Sequence, residues 1–403
     1  MPRKIKTDVG LSALCAILWS GYAHAAPATL LPPGPIGSHL QTYVDAVNGR
    51  SGAVEAFSTE LSASFEEPHS LGALQRYFDG QHRVTGGITA VGFRLAPGSM
   101  TKGQLVFRDT IYGGLRALAV TFDETPSHRI IDISPTPAPG WAIAVARPKS
   151  PAQVAMYAAT LIDRGCQADV FSGAFLVAHQ GKVIVERACG EADKRGHVAN
   201  NLDTRINLGS INKAFTAVAV AQLAETQRLS LSEPLSDFVD DSWLPQDIAR
   251  RITVAQLLAM TSGLGSYFDD NPMSRLRENR TLDDYKPLIR AQTLQAAPGQ
   301  KFIYSDTGYF LLGLVVQKAS GENYYEYVRK HIYRPAGMTD TDSFDTEDPS
   351  QRLAVGYLRS GDHSGWRENR LQIPRKGVPD GGGYSTAHDL LRFAEALKQG
   401  QLV

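Results

Sequence analysis

The chain has 403 residues, 43% hydrophobic and 20% charged, with 41 basic and 41 acidic side chains and a formal net charge of zero. That length points to two or three domains. The balanced charge, with no Lys/Arg run, leaves electrostatic affinity for nucleic acid or an anionic membrane surface nothing to rest on. No Cys/His cluster has ligand spacing, so neither a metal nor any other cofactor is expected.

In chain order, Arg3, Lys4 and Lys6 form a positive segment, residues 11–19 form a short apolar core, and Ala23-His24-Ala25 fits a small-x-small cleavage site. This order predicts a signal peptide over residues 1–25 and an exported chain, periplasmic or secreted. The apolar run is too short to span a bilayer, and no transmembrane segment is expected after its removal. Cys15 leaves with the peptide. Cys166 and Cys189 remain and can bridge in an oxidising compartment, although a chain of this size folds without one.

Residues 26–36 are rich in Pro and Gly and predict a flexible lead-in. A small α+β domain follows over residues 37–142. Leu40, Tyr43, Val44 and Val47 have helical spacing, as do Val54, Phe57, Leu61 and Phe65. A third, short helix is expected through Leu71, Leu74, Tyr77 and Phe78. Strands are predicted at 88–95, 104–107, 115–122 and 130–133, as an antiparallel sheet with helices on one face. Pro135, Pro137 and Pro139 predict a stiff linker.

A second domain is expected over residues 152–403. A helix over 154–166 precedes two apolar strands, 174–179 and 182–187, separated by Gln180-Gly181, a hairpin signal. Helices are then predicted at 210–226, 253–260, 306–319, 324–332 and 386–397.

Within the first of these lies Leu208-Gly209-Ser210-Ile211-Asn212-Lys213-Ala214-Phe215. Positions i and i+3 of a helix share a face, so the Ser210 hydroxyl and the Lys213 amine can meet. A serine hydroxyl is a poor nucleophile and needs an adjacent base. A helix start disfavours a protonated lysine and favours developing negative charge. Taken alone, the same four residues also describe a serine cap followed by a solvated lysine. The run from Ala214 to Leu223 is almost wholly apolar, however, which makes Lys213 the charged exception at the mouth of a central helix.

Further motifs extend the pattern. Residues 253–264 read Thr-Val-Ala-Gln-Leu-Leu-Ala-Met-Thr-Ser-Gly-Leu, and residues 302–309 read Phe-Ile-Tyr-Ser-Asp-Thr-Gly-Tyr. Pro335-Ala336-Gly337-Met338 and the stretch 382–390, Gly-Gly-Tyr-Ser-Thr-Ala-His-Asp-Leu, follow. With the Ser-x-x-Lys pair, these make the chain from about Phe171 onward resemble the penicillin-recognising serine hydrolases: class C β-lactamases, D,D-peptidases and related serine esterases. The first stretch resembles the family's LLxHTSGL segment, with Met260 where histidine is usual. The second resembles its Tyr-x-Asn motif, with Asp306 where asparagine is usual.

The resemblance implies a β-lactamase/transpeptidase-like domain, a helical region plus an antiparallel sheet. In it Ser210 attacks an amide, β-lactam or ester carbonyl while Lys213 and Tyr304 handle the proton. The backbone N–H of Ser210 would serve the oxyanion hole, and Asp306 would line the substrate site. Without the family, Tyr304 reads as a packed aromatic beside Phe302 and Tyr309, and Asp306 as an acidic residue favoured by a helix start. A carboxylate beside Lys213 favours the ammonium and weakens the lysine as a base. Ser262 and Gly263 read as a structural turn. Peptidoglycan D-Ala peptides and small esters are the implied substrates, with no nucleic-acid partner and the oligomeric state left open.

The family's third motif, a Lys/His-x-Gly strand after the helix at 386–397, has no counterpart before Val403. The resemblance therefore implies a C-terminally truncated catalytic domain with little turnover, since one lost oxyanion donor costs about 3–4 kcal/mol. Met260, Asp306 and this missing strand also support a second expectation, a non-catalytic binding protein. By element order, helices first and then a curved sheet, the domain before Pro135 resembles the cone-shaped NTF2/SnoaL-like domains, which implies a binding, spacing or dimerising role.

Overall fold

The computed structural model describes residues 31–65, 70–137, 148–268, 277–359 and 365–403. It divides into two compact units, one ending at Lys149 and including Asp163–Val170, the other comprising Ser150–Ile162 and Phe171–Val403. The expected signal peptide, Pro139 and the expected domain end at residue 142 lie outside the described residues. Among the described residues no helix is long and apolar enough to cross a membrane.

The first unit contains α1 (Pro35–Val47), α2 (Ala53–Glu60) and α3 (Leu71–Thr85), followed by β1 (Ile88–Leu95), β2 (Lys102–Asp109), β3 (Leu115–Phe122) and β4 (Ile130–Thr136). The strands form an antiparallel meander in the order β1-β2-β3-β4. Helix α1 buries Leu40, Tyr43, Val44 and Val47, the spacing of a single helical stripe. Its Tyr43 meets Phe57 and Phe78 edge-on, with ring centroids 5.8 and 5.5 Å away. Leu105, Phe107, Val120 and Ile130 from the sheet join the same core.

Three expectations change here. The second helix stops at Glu60, and Leu61 is extended and bridged to Ile130, so its burial follows from sheet contact rather than helical phase. The third helix is long, not short, and runs until Gly86 takes a left-handed φ of 65°. Pro135 is part of β4, opposite Leu118, rather than part of a linker. A proline is tolerated there because β4 is an edge strand.

The division between the units falls inside α4 (Pro151–Gln167). Strands β5 (Gly173–His179) and β6 (Lys182–Cys189) form the hairpin, and Gln180 and Gly181 both take positive φ, 51° and 76°, as a two-residue turn of this type requires. Cys166 and Cys189 are both disulfide-bonded. Short strands follow: β7 (Glu191–Asp193) pairs with β8 (Val198–Ala199), and β9 (Ile206–Asn207) precedes the central helices. These are α5 (Asn212–Glu225), α6 (Gln246–Ala249), α7 (Val254–Leu258), α8 (Lys286–Arg290), α9 (Asp306–Ser320) and α10 (Tyr324–Val328), the last passing into a π-helical turn at Arg329–Tyr333. Strands β10 (Tyr357–Arg359) and β11 (Trp366–Glu368) pair together, β12 (Tyr384–Ser385) pairs with β9, and α11 (Ala387–Lys398) completes the order.

Helices α5 and α9 form the centre of this unit. Phe215, Ala219, Val220 and Leu223 from α5 and Phe310, Leu311, Leu312, Val315 and Val316 from α9 are fully or almost fully buried. Each large apolar side chain so buried contributes about 1.5–3 kcal/mol. The contact between the two helices sets the positions of the residues at their N-termini, where the polar chemistry gathers.

Candidate active site

Ser210 does not lie on α5 itself, as the sequence predicts. It occupies a single 3-10 turn, Gly209–Ile211, that runs into the helix. Gly209 takes a φ of 50°, and its N–H donates to Asn207 Oδ1 at 2.9 Å. Backbone bonds from Leu208 to Gly383 (2.7 Å) and from Gly382 to Gly209 (3.2 Å) tie this turn to the glycine run 381–383. Ser210 is thus held exposed on a tight turn while Lys213 sits one turn inward.

Tyr304 donates to Ser210 Oγ at 2.6 Å, and Lys213 Nζ donates to the same oxygen at 3.2 Å. Lys213 also donates to Asp306 Oδ1 at 2.6 Å and to the backbone carbonyl of Asp380 at 2.6 Å. An ammonium has three N–H donors, and all three are used. Burial alone pulls the Lys213 pKa down. The Asp380 and Asp306 carboxylates and the bonds to Asp306 and Tyr304 outweigh it, so the amine ends above its ordinary value. The site is graded in depth: Tyr304 is 46% exposed, Lys213 only 6% and Asp380 1%. Its hydroxyls face solvent and its charges lie beneath them.

The elements position each group locally. Ser305 caps α9 by accepting from Gly308 N at 2.8 Å and donates to Gly265 O at 3.0 Å. This fixes Asp306 at the first position of the helix, where a carboxylate is favoured. The second oxygen of Asp306 accepts from Ser266 at 2.7 Å. The carboxylate is therefore committed to Lys213 and Ser266, which makes it a partner of the lysine more than a lining of the substrate site. Ser262 is fully buried, and its Oγ accepts from Leu264 N, as befits a structural turn.

Three residues here were not singled out by sequence reasoning. Ser266 and Tyr267 lie just beyond the quoted 253–264 stretch, and Asp380 just before the 382–390 stretch. Val378 and Gly381 exchange backbone bonds of 2.7 and 3.0 Å, so Pro379-Asp380 forms the tip of a tight hairpin. Three consecutive carbonyls of that hairpin accept side-chain bonds from α5: Val378 from Asn212 at 3.1 Å, Pro379 from Thr216 at 2.7 Å, and Asp380 from Lys213. On the opposite side, a Cβ at Gly313 of α9 would come within 2.2 Å of the Pro379 ring, so only glycine admits the turn. The Asp380 carboxyl accepts from the Tyr267 hydroxyl at 3.2 Å on each oxygen. Burial, with the negative charge of Asp306, pushes Asp380 up to about 7 against the pull of Lys213. The signal that could have revealed it is the Pro-Asp-Gly turn signature at 379–381.

A family model described as Beta-lactamase matches residues 156–403. The chain is 31% identical over 234 residues to PbpX of Bacillus subtilis (strain 168), covering 58% of this chain and 56% of that protein. It is 32% identical over 204 residues to Protein flp of Staphylococcus aureus (strain MW2), covering 50% of this chain and 41% of that one. The chain thus spans about half the length of these curated relatives. Among solved structures, the penicillin binding protein from Bacillus halodurans superposes with a TM-score of 0.52 at 31% identity, covering 58% of this chain and 72% of that one. FmtA from Staphylococcus aureus superposes with the same TM-score, 0.52, at 24% identity, a likeness of fold alone.

Proposed function

The chain belongs to the beta-lactamase family of serine hydrolases, and from that premise we propose that it acts through an acyl-enzyme formed at Ser210. The observation that carries this is the convergence of Lys213 Nζ and the Tyr304 hydroxyl on Ser210 Oγ, at 3.2 and 2.6 Å. Ser210 attacks the carbonyl of an ester, an amide or a β-lactam. As the Ser210 Oγ–carbonyl bond forms and the bond to the leaving group breaks, the Ser210 proton passes to the Tyr304 oxygen while the Tyr304 proton passes to the leaving group, and Lys213, with its three donors engaged, acts as a fixed positive charge beside the developing oxyanion. The Ser210 backbone N–H serves the oxyanion. Asp306 holds Lys213 in place and in its charged form. Met260 and Asp306, where the family has histidine and asparagine, favour the second reading, a penicillin-binding protein that acylates slowly or only binds.

D-Ala peptides and small esters are the substrates of this reading. It includes export, supported by the charged and apolar residues at the start of the chain and by two disulfide-bonded cysteines. It also includes an NTF2/SnoaL-like spacing or dimerising role for the first unit, supported by its order of helices and then a four-stranded meander. The test is parallel incubation with a fluorescent penicillin, a chromogenic short-chain ester and a D-Ala-D-Ala peptide. Slow turnover of the ester or peptide, abolished by Ser210→Ala, is expected. A folded sample that binds penicillin reversibly, without a covalent adduct, would establish the binding protein instead.

A further inference from the structure

Lys213 has two acids beside it, and the acyl-enzyme chemistry at Ser210 gives a role to Asp306 alone. Asp306 is ion-paired with the amine at 2.6 Å, and its other oxygen accepts from Ser266. Asp380 gives the amine its backbone carbonyl and turns its carboxyl into the core, where the Tyr267 hydroxyl donates to both oxygens. We propose that Asp380 is a positioning residue whose carboxyl sets the net charge of the cluster it forms with Lys213 and Asp306 beneath Ser210. This rests on the acyl-enzyme reading of Ser210. With Asp380 as the neutral acid, the ammonium and the Asp306 carboxylate cancel. With Asp380 as the carboxylate, the cluster carries one net negative charge and opposes the anion that forms as Ser210 attacks.

The surroundings isolate this switch. Among the described residues, besides Lys213 on α5 and Asp306 on α9, the titratable groups acting on Asp380 include Tyr267 and Tyr285 from the loop segments and Tyr324 and Tyr325 of α10. Burial pushes all four phenols up, so they stay neutral across the working range. Lys213 stays charged there as well. Asp380, pushed up by burial to about 7, therefore changes charge near neutrality. It cannot be hydrated in compensation, because it is 1% exposed and its hairpin is pinned to α5 by three side-chain bonds.

Two measurements test this. The rate of fluorophosphonate labelling, followed by intact mass from pH 5 to 10, should show an inflection near 7 in the wild type that is missing in Asp380→Asn. Above the inflection the variant should label roughly tenfold faster than the wild type, and below it equally fast. Tyr267→Phe, which removes the donor that favours the carboxylate, should move the inflection to higher pH. Superimposable profiles, or an Asp380→Asn protein that is folded yet slower at every pH, would overturn the proposal. The second measurement needs no reaction and no variant to fold: a carboxyl 13C titration of Asp380 in the wild-type chain. A midpoint near 7 supports the assignment, and one in the ordinary carboxylate range sinks it. Absence of any wild-type labelling together with a midpoint near 7 would instead count against the acyl-enzyme reading alone.

Discussion

The two units bury different things. In the first, the core is a single set of apolar side chains from three helices and a meander, and the side chains of its buried Thr85 and Asp109 bond to Gln81, Tyr112 and Arg116, close by in the chain. In the second, the apolar contact of α5 with α9 carries a buried polar layer at one end: Asn212, Lys213, Thr216, Ser305 and Asp380, tied together across up to 167 positions of sequence. Buried charge is costly unless paired and hydrogen-bonded. A core that needs only stability has no use for such a layer, so the contrast locates the chemistry. The family match over 156–403 falls on the same side of it.

The largest expected break comes from Lys213→Ala. It leaves two carboxyls without their cation and should cost about 3–5 kcal/mol of stability. It should also slow Ser210 labelling by about 10²- to 10³-fold, the worth of one group that stabilises the developing charge. Denaturant titration and labelling kinetics read the two effects separately, and an unaltered labelling rate would remove Lys213 from the mechanism. Phe78→Ala tests the other side. It should cost the first unit about 3–5 kcal/mol through lost burial and the resulting cavity, yet leave labelling of Ser210 unchanged while the protein stays folded.

Asp306→Asn removes the charge closest to the amine. Against the pull of burial, Asp380 and then Asp306 hold Lys213 above its ordinary value, so loss of the Asp306 charge should move the alkaline limb of the labelling profile to lower pH, and identical profiles would refute the role given to Asp306. Asp380 predicts a slope in stability. Its folded pKa of about 7 lies above the 3.8 of the free side chain, so the folded state binds the proton more tightly. Its contribution is therefore greatest below about pH 4 and is lost as pH rises to about 7. Asp380→Asn should flatten that part of a thermal-melt series. Smallest of all, Thr253→Ala breaks the capping box of α7 with Gln256 and should cost about 1 kcal/mol, with no effect on labelling.

How far the sequence speaks follows from range. Ser210 and Lys213 are legible because they are three positions apart on one turn, and Tyr304 and Asp306 because motif resemblance carries long-range information that periodicity does not. Strands β1 to β4 and the hairpin appear through alternation and turn residues. Leu61 is misread because a β-bridge to Ile130 buries it at a position that also continues the helical phase of α2. Asp380, Ser266 and Tyr267 are silent because their roles exist only once the 378–381 hairpin and the 262–267 loop dock against α5 and α9. The 3-10 turn under Ser210 is likewise set by the pairing of β9 with β12, far along the chain.

Peptide mapping of the fluorophosphonate-treated chain by mass spectrometry addresses the central claim most directly. One adduct is expected, on Ser210, that disappears in Ser210→Ala while the thermal melt stays unchanged. A folded wild-type protein with no adduct, or with its adduct on Ser262 or Ser266, would contradict it.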